Sequence, residues 1–193
     1  DPQLIAEECR ALGVAVELVP CDLADPDAPE LLIRAACALG PVEALVMSHC
    51  ESVDSSILTT SIESWDRHFA VNARATWLLI KAFAEQLPTG VAPGEVGGHI
   101  VALTSDHTAH NLPYGASKGA LDRIVIAAAV ELLDRGVRAN VICPGFVRTP
   151  LVEKQIPEQA ATLKLLEPLA GKEAKSYEPV IAAIAVEVFG DGK

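Results

Sequence analysis

Residues 99–118 read HIVALTSDHTAHNLPYGASK, and they hold the fold in miniature. His99–Leu103 is a short apolar run with β-branched residues at its centre and no alternation of polarity. A strand of that kind is covered on both faces, as in a parallel sheet packed by helices. Ser105 follows the run, Asp106–Pro113 forms a loop, and Tyr114 opens a stretch with helical apolar spacing that continues to Arg135.

The same alternation extends in both directions. Val14–Val19, Ala44–Met47 and Val137–Cys143 read as further buried strands, and Leu4–Leu12, Ala28–Leu39 and Ser61–Leu87 as helices. Strand and helix taking turns in this way predict an α/β fold of the doubly wound, Rossmann-like kind. The punctuation agrees. Asp25-Pro26-Asp27 and Ser61 supply capping chemistry at helix starts, and Gly136 supplies a stop. Pro88–Gly98, rich in glycine and proline, reads as a surface loop. Beyond Pro150 the pattern weakens, with Glu153–Leu169 helical but broken by prolines and Val180–Phe189 a short apolar run. The expectation is one Rossmann-like domain over residues 1–193, with 151–193 a divergent C-terminal region.

Composition narrows the class. The chain has 193 residues, is 50% hydrophobic and carries a net charge of −11, so it can bury one core but offers no basic surface for nucleic acid or an anionic membrane. No stretch approaches the length of a membrane span. Five scattered cysteines without a C-x-x-C pair fit a reducing cytoplasm better than zinc or dithiol chemistry. His107 and His110 are three apart but have no third ligand at metal spacing. Ser105 with Asp106 and His107 lacks a nucleophile elbow, which argues against hydrolysis.

The chemistry centres on Tyr114 and Lys118. Four residues apart on a helix, they share a face. An ammonium so placed would stabilise the phenolate and draw a phenol, ordinarily near 10, down toward the working range. Ser105 at the carboxyl edge of a strand, Asn72 in the preceding helix and Pro144-Gly145 after Val137–Cys143 fall where an open α/β sheet binds its ligand.

At these residues the chain resembles the short-chain dehydrogenase/reductase family, from about Leu4 to Gln159. The matching blocks are Asp22-Leu23, Asn72, Ser105, Tyr114-x-x-x-Lys118 and CPGFVRTP at Cys143–Pro150. The resemblance implies hydride transfer between NAD or NADP and a carbonyl or secondary alcohol. It casts Tyr114 as the general acid or base, and Lys118 as the group that lowers its pKa and holds the nicotinamide ribose. Ser105 would bind the substrate oxygen, and Asn72 a water that relays protons to Lys118. Asp22 and Leu23 would flank the adenine, while Pro144, Gly145, Val147 and Thr149 line the nicotinamide. A homo-oligomer, dimer or tetramer, is implied through the helices Ser61–Leu87 and Tyr114–Arg135. Trp65, Phe69, Trp77 and Phe83 are accordingly expected to pack core and interface.

Three departures accompany the resemblance. The family's first two strands and its T-G-x-x-x-G-x-G loop have no counterpart in residues 1–193, which read from the helix before the third family strand onward. That loop brings pyrophosphate to a helix N-terminus, so either the chain is part of a longer product or it is a truncated relative that binds dinucleotide poorly, a catalytically inactive binding or structural protein. The family's N-N-A-G is replaced by Met47-Ser48-His49-Cys50. Only eight residues separate Ser105 from Tyr114, fewer than the family usually has. In the family order 3-2-1-4-5-6-7 the missing strands lie between the third and fourth, so Val14–Val19 is expected either to stand apart or to pair with Ala44–Met47.

Overall fold

Three of the four apolar runs pair into one sheet. The computed structural model describes residues 2–107 and 111–144. Expectations for Gly145, Val147, Thr149, His110 and everything from 151 onward therefore lie outside the described residues. The chain up to Cys143 packs as one compact unit.

The helices are α1 (Pro2–Ala11), α2 (Ala28–Cys37), α3 (Ile62–His68), α4 (Ala75–Glu85) and α5 (Leu112–Glu131). The strands are β1 (Ala44–Met47), β2 (Gly98–Leu103) and β3 (Val137–Ile142). They run in parallel in the order β1-β2-β3, with Leu45 beside Ile100 and Ile100 beside Ala139.

Val14–Val19 corrects the reading. It is not a strand and has no sheet partner among the described residues, and Val14 is 53% exposed. Its apolar pattern matches that of β1, but a strand persists only where its backbone groups find a neighbour. Among the described residues the outer edge of β1 is bare, and an open groove of about 400 Å³ lies beside it, lined by Leu23, Leu32 and Val46.

One face of the sheet carries the core. Met47, Ile100, Ala102 and Val137 point into it and meet Leu79, Ile80 and Phe83 of α4, Leu121 and Val125 of α5, and Ile33 of α2. Gly98 lets α4 come this close, since a Cβ there would stand 2.9 Å from Phe83. Gly136 turns the chain into β3 with φ +64°, a left-handed value that favours glycine. Ser61 caps α3 by accepting the Ser64 N–H at 3.1 Å.

The segment read as one helix, Ser61–Leu87, is interrupted. Between α3 and α4, Phe69–Arg74 forms a π-helical turn. Trp65 stacks on Phe69 at 4.8 Å and Phe83 is fully buried, whereas Trp77 is 52% exposed on the outer side of α4.

Among the described residues little covers the other face of the sheet. Val46 is 68% and Ile142 47% exposed, and α1 buries only Ala6 while Leu4 and Ile5 face solvent. That face mixes Val46, Val101, Leu103 and Ile142 with the polar His99, Arg138 and Asn140, and bare apolar patches on a parallel sheet invite association. The 193-residue chain alone should therefore self-associate in sedimentation at micromolar concentration. A monodisperse, stable monomer would show that the exposed face carries no such cost.

Candidate active site

The carboxyl end of β2 delivers Thr104 and Ser105, and the first turn of α5 delivers Tyr114. The two side chains come together there, close enough for Ser105 to draw the phenol pKa down. Ser105 Oγ also accepts the His107 N–H at 3.1 Å, which fixes its rotamer, and the His107 ring stands edge-on to Tyr114 at 6.2 Å.

Lys118 lies one turn along α5, as its spacing requires, and its Nζ is 5.9 Å from the centre of the Tyr114 ring. Its side chain is 2% exposed. The ammonium donates to the Leu103 carbonyl at 2.8 Å and the His49 carbonyl at 3.4 Å, one from each neighbouring strand end. Burial lowers the lysine pKa below its ordinary value, opposed by Cys50 and Asp122.

One expectation is corrected here. The phenol does not sit below its ordinary value. Burial raises it, Cys50 and Cys143 add to the rise, and only the Ser105 hydrogen bond pulls it down. The ammonium is turned to backbone carbonyls, so its pull on the phenolate is not expressed in this arrangement.

Asn72 sits in the π-helical turn and is fully buried. Its amide donates to the Glu51 carbonyl at 2.9 Å and to Ser117 Oγ at 2.8 Å, and its Oδ1 accepts the Glu51 N–H at 2.7 Å. Ser117 in turn donates to the Tyr114 carbonyl at 2.8 Å. The asparagine is thus a strut between the loop after β1 and the helix that carries Tyr114 and Lys118. π-helical turns of this kind are frequent at functional sites.

Sequence reasoning missed the residues that hold that loop. His68 is buried, meeting the Ser64 carbonyl through Nδ1 at 2.6 Å and accepting the Val53 N–H through Nε2 at 3.0 Å. Arg67 bridges Asp22 at 2.8 Å and Glu51 at 3.1 Å, and Arg74 donates to the Ala24 carbonyl. Nothing in the spacing of these side chains announces a site, because their partners are distant in sequence.

Asp22 is exposed. Its pKa is lowered, first by the Arg67 hydrogen bond and then by the Ala24 N–H. Leu23 is partly buried against the core, and Pro144 is exposed just past β3. No cluster of metal-ligating side chains occurs among the described residues. No helix among them is long and apolar enough to cross a membrane.

With this geometry in hand, comparison with known proteins places the chain. A family model described as Enoyl-(Acyl carrier protein) reductase matches residues 2–185. The chain belongs to the short-chain dehydrogenase/reductase family. A curated member similar to it is D-beta-hydroxybutyrate dehydrogenase of Rhizobium meliloti (strain 1021), 31% identical over 89% of this chain and 70% of the relative. A metagenomic short-chain oxidoreductase solved in complex with NADP is 30% identical, with a TM-score of 0.64 over 75% of this chain. A metagenomic blue fluorescent protein solved with NADPH is 26% identical, with a TM-score of 0.68 over 77% of this chain. The chain spans 65% and 60% of the length of those two proteins.

Proposed function

We propose that this short-chain dehydrogenase/reductase chain carries the catalytic half of a dehydrogenase that uses NAD or NADP to interconvert a carbonyl and a secondary alcohol. The observation that carries the reading is the convergence of Ser105 and Tyr114 at the carboxyl end of a parallel strand, with the Lys118 ammonium 5.9 Å from the centre of the tyrosine ring. Ligands of open α/β sheets bind at that end. The solved relatives in complex with NADP and NADPH support the choice of cofactor.

The residues present fit the nicotinamide end of a dinucleotide. Lys118 would hold the ribose with Tyr114 beside it adding little to affinity, Pro144 with Gly145, Val147 and Thr149 would line the ring, and Asp22 and Leu23 would flank the adenine. When bound, the dinucleotide supplies or accepts the hydride. Ser105 donates a hydrogen bond to the substrate oxygen, steadying charge that develops there. Tyr114 delivers the proton to that oxygen in reduction and removes it in oxidation. Because burial keeps the phenol protonated, the acid role is the one poised at neutral pH, and alcohol oxidation should accelerate as pH rises. Asn72 braces this pair through Ser117 and Glu51.

The setting follows from the same reading: a homo-oligomer in a reducing cytoplasm, acting on a small-molecule substrate, with neither nucleic acid nor membrane as a partner. Five free cysteines and an acidic surface support it. The test is the change in nicotinamide absorbance with a panel of ketones and secondary alcohols; no turnover with any of them, using a protein that carries a complete dinucleotide segment, rejects the reading. The 193-residue chain alone should bind either cofactor no better than weakly, since it lacks the glycine-rich loop that cradles pyrophosphate. Micromolar affinity in titration calorimetry would mean that another phosphate site exists.

A further inference from the structure

His49 occupies the third place of the segment where the family carries N-N-A-G, so an imidazole stands where a methyl is usual. Its backbone carbonyl accepts Lys118 Nζ at 3.4 Å. Its ring faces the π-helical turn, with Nε2 3.5 Å from Thr76 Oγ1, and Thr76 donates to the Asn72 carbonyl at 2.8 Å. One residue thus touches the lysine through its backbone and the first turn of α4, next to the π-helical turn, through its side chain. The next residue but one, Glu51, is gripped at both its N–H and its carbonyl by Asn72. The carbonyl that holds Lys118 is therefore set by two anchors, Asn72 in the π-helical turn and Thr76 at the start of α4.

We propose that His49 is a positioning residue for Lys118: its neutral ring, docked against Thr76 and the π-helical turn, keeps the His49 carbonyl under the ammonium, and protonating the ring loosens that hold. Any effect of that loosening on turnover rests on the reading of Lys118 as part of an oxidoreductase site; the contact and the coupling do not. The direction of the coupling follows from charge. An imidazolium beside a buried ammonium is two like charges in a poorly hydrated place. Burial holds the His49 pKa below its ordinary value and Lys118 lowers it further, while a hydrogen bond with the Val71 backbone acts the other way. The charged and titratable groups around the pair are Lys118 with Tyr114 and Asp122 from α5, and Cys50 and Glu51 from the loop of His49 itself. The π-helical turn contributes Asn72 and α4 contributes Thr76, which do not titrate, and Cys143 after β3 acts on Tyr114.

The test begins with the histidine, followed through its ring Cε1–H signal by NMR in the 193-residue chain. His49 should titrate below the ordinary histidine range. Lys118→Met, which removes the charge and keeps the length, should raise the midpoint by about half a pH unit or more. Lys118→Arg, which keeps the charge, should leave it low. A folded Lys118→Met protein with an unmoved His49 midpoint overturns the proposal; if that variant does not fold, Lys118→Gln answers the same question. The second arm is the pH profile of kcat/KM in a protein with a complete dinucleotide segment. His49→Gln, which cannot acquire charge, should flatten the acidic limb, whereas His49→Ala should lower kcat across the profile. An acidic limb unchanged in His49→Gln also overturns it. Absence of turnover in the unsubstituted protein sinks the oxidoreductase reading alone, and the NMR arm still decides the coupling.

Discussion

Tyr114→Phe should lower turnover by about 10²–10⁴-fold, the usual contribution of a general acid or base, and leave dinucleotide binding nearly unchanged. The substitution removes one oxygen. It leaves the ring that Lys118 and His107 face, and it leaves Lys118 where it is, because the ammonium is held by the Leu103 and His49 carbonyls rather than by the phenol. Binding and chemistry are therefore separable at this position. The assay requires a protein with a complete dinucleotide segment, with kcat measured under saturating cofactor and the cofactor Kd taken by calorimetry. Ser105→Ala should act in the same direction, since the hydroxyl serves the same substrate oxygen and is the one group that draws the phenol pKa down. Retention of more than about a tenth of the activity in Tyr114→Phe would be incompatible with proton transfer by the phenol.

Much of this arrangement could be read from local pattern, and the exceptions have a common cause. The strands β2 and β3 announce themselves as short continuous apolar runs, and the helices α2, α4 and α5 as the longer apolar stretches between them. Tyr114 and Lys118 announce a shared face because helix geometry alone fixes it. Val14–Val19 has the same local character as β1, yet whether it becomes a strand is decided by a neighbour along its edge, which no local pattern specifies. The π-helical turn was invisible for a related reason. Phe69–Arg74 contains no glycine or proline to break a helix, and what accompanies the bulge is a set of bonds to Glu51, Ser117 and Thr76. The direction of the phenol shift was misread because spacing shows that Lys118 is close to Tyr114 but not that two strand-end carbonyls already hold its ammonium.

Asn72→Ala should cost the fold about 3 kcal/mol, although the substitution touches no apolar core residue. Asn72 makes three side-chain hydrogen bonds in a fully buried position. Its loss leaves the Glu51 N–H and carbonyl without their partner and removes the donor to Ser117, and each buried group so orphaned costs about 1–3 kcal/mol. Part of this is regained because Ser117 keeps its bond to the Tyr114 carbonyl, and because the loop remains tied through Val53 to His68. In a chain of this size a loss of about 3 kcal/mol lowers Tm by about 6–12 °C. Asn72→Asp is the sharper variant. It keeps an acceptor for the Glu51 N–H but replaces both donors with acceptors, so a carboxylate would face the Glu51 carbonyl and a hydroxyl already committed elsewhere. It should be at least as destabilising as alanine at neutral pH and recover part of the loss under acid, where protonation restores one donor and removes the buried charge. Denaturant unfolding of the two variants, followed by circular dichroism at neutral and acidic pH, measures both effects. If Asn72→Ala costs less than about 1 kcal/mol, the His68–Val53 contact alone secures the loop, and Asn72 belongs to the chemistry rather than to the frame that holds His49 and Lys118 together.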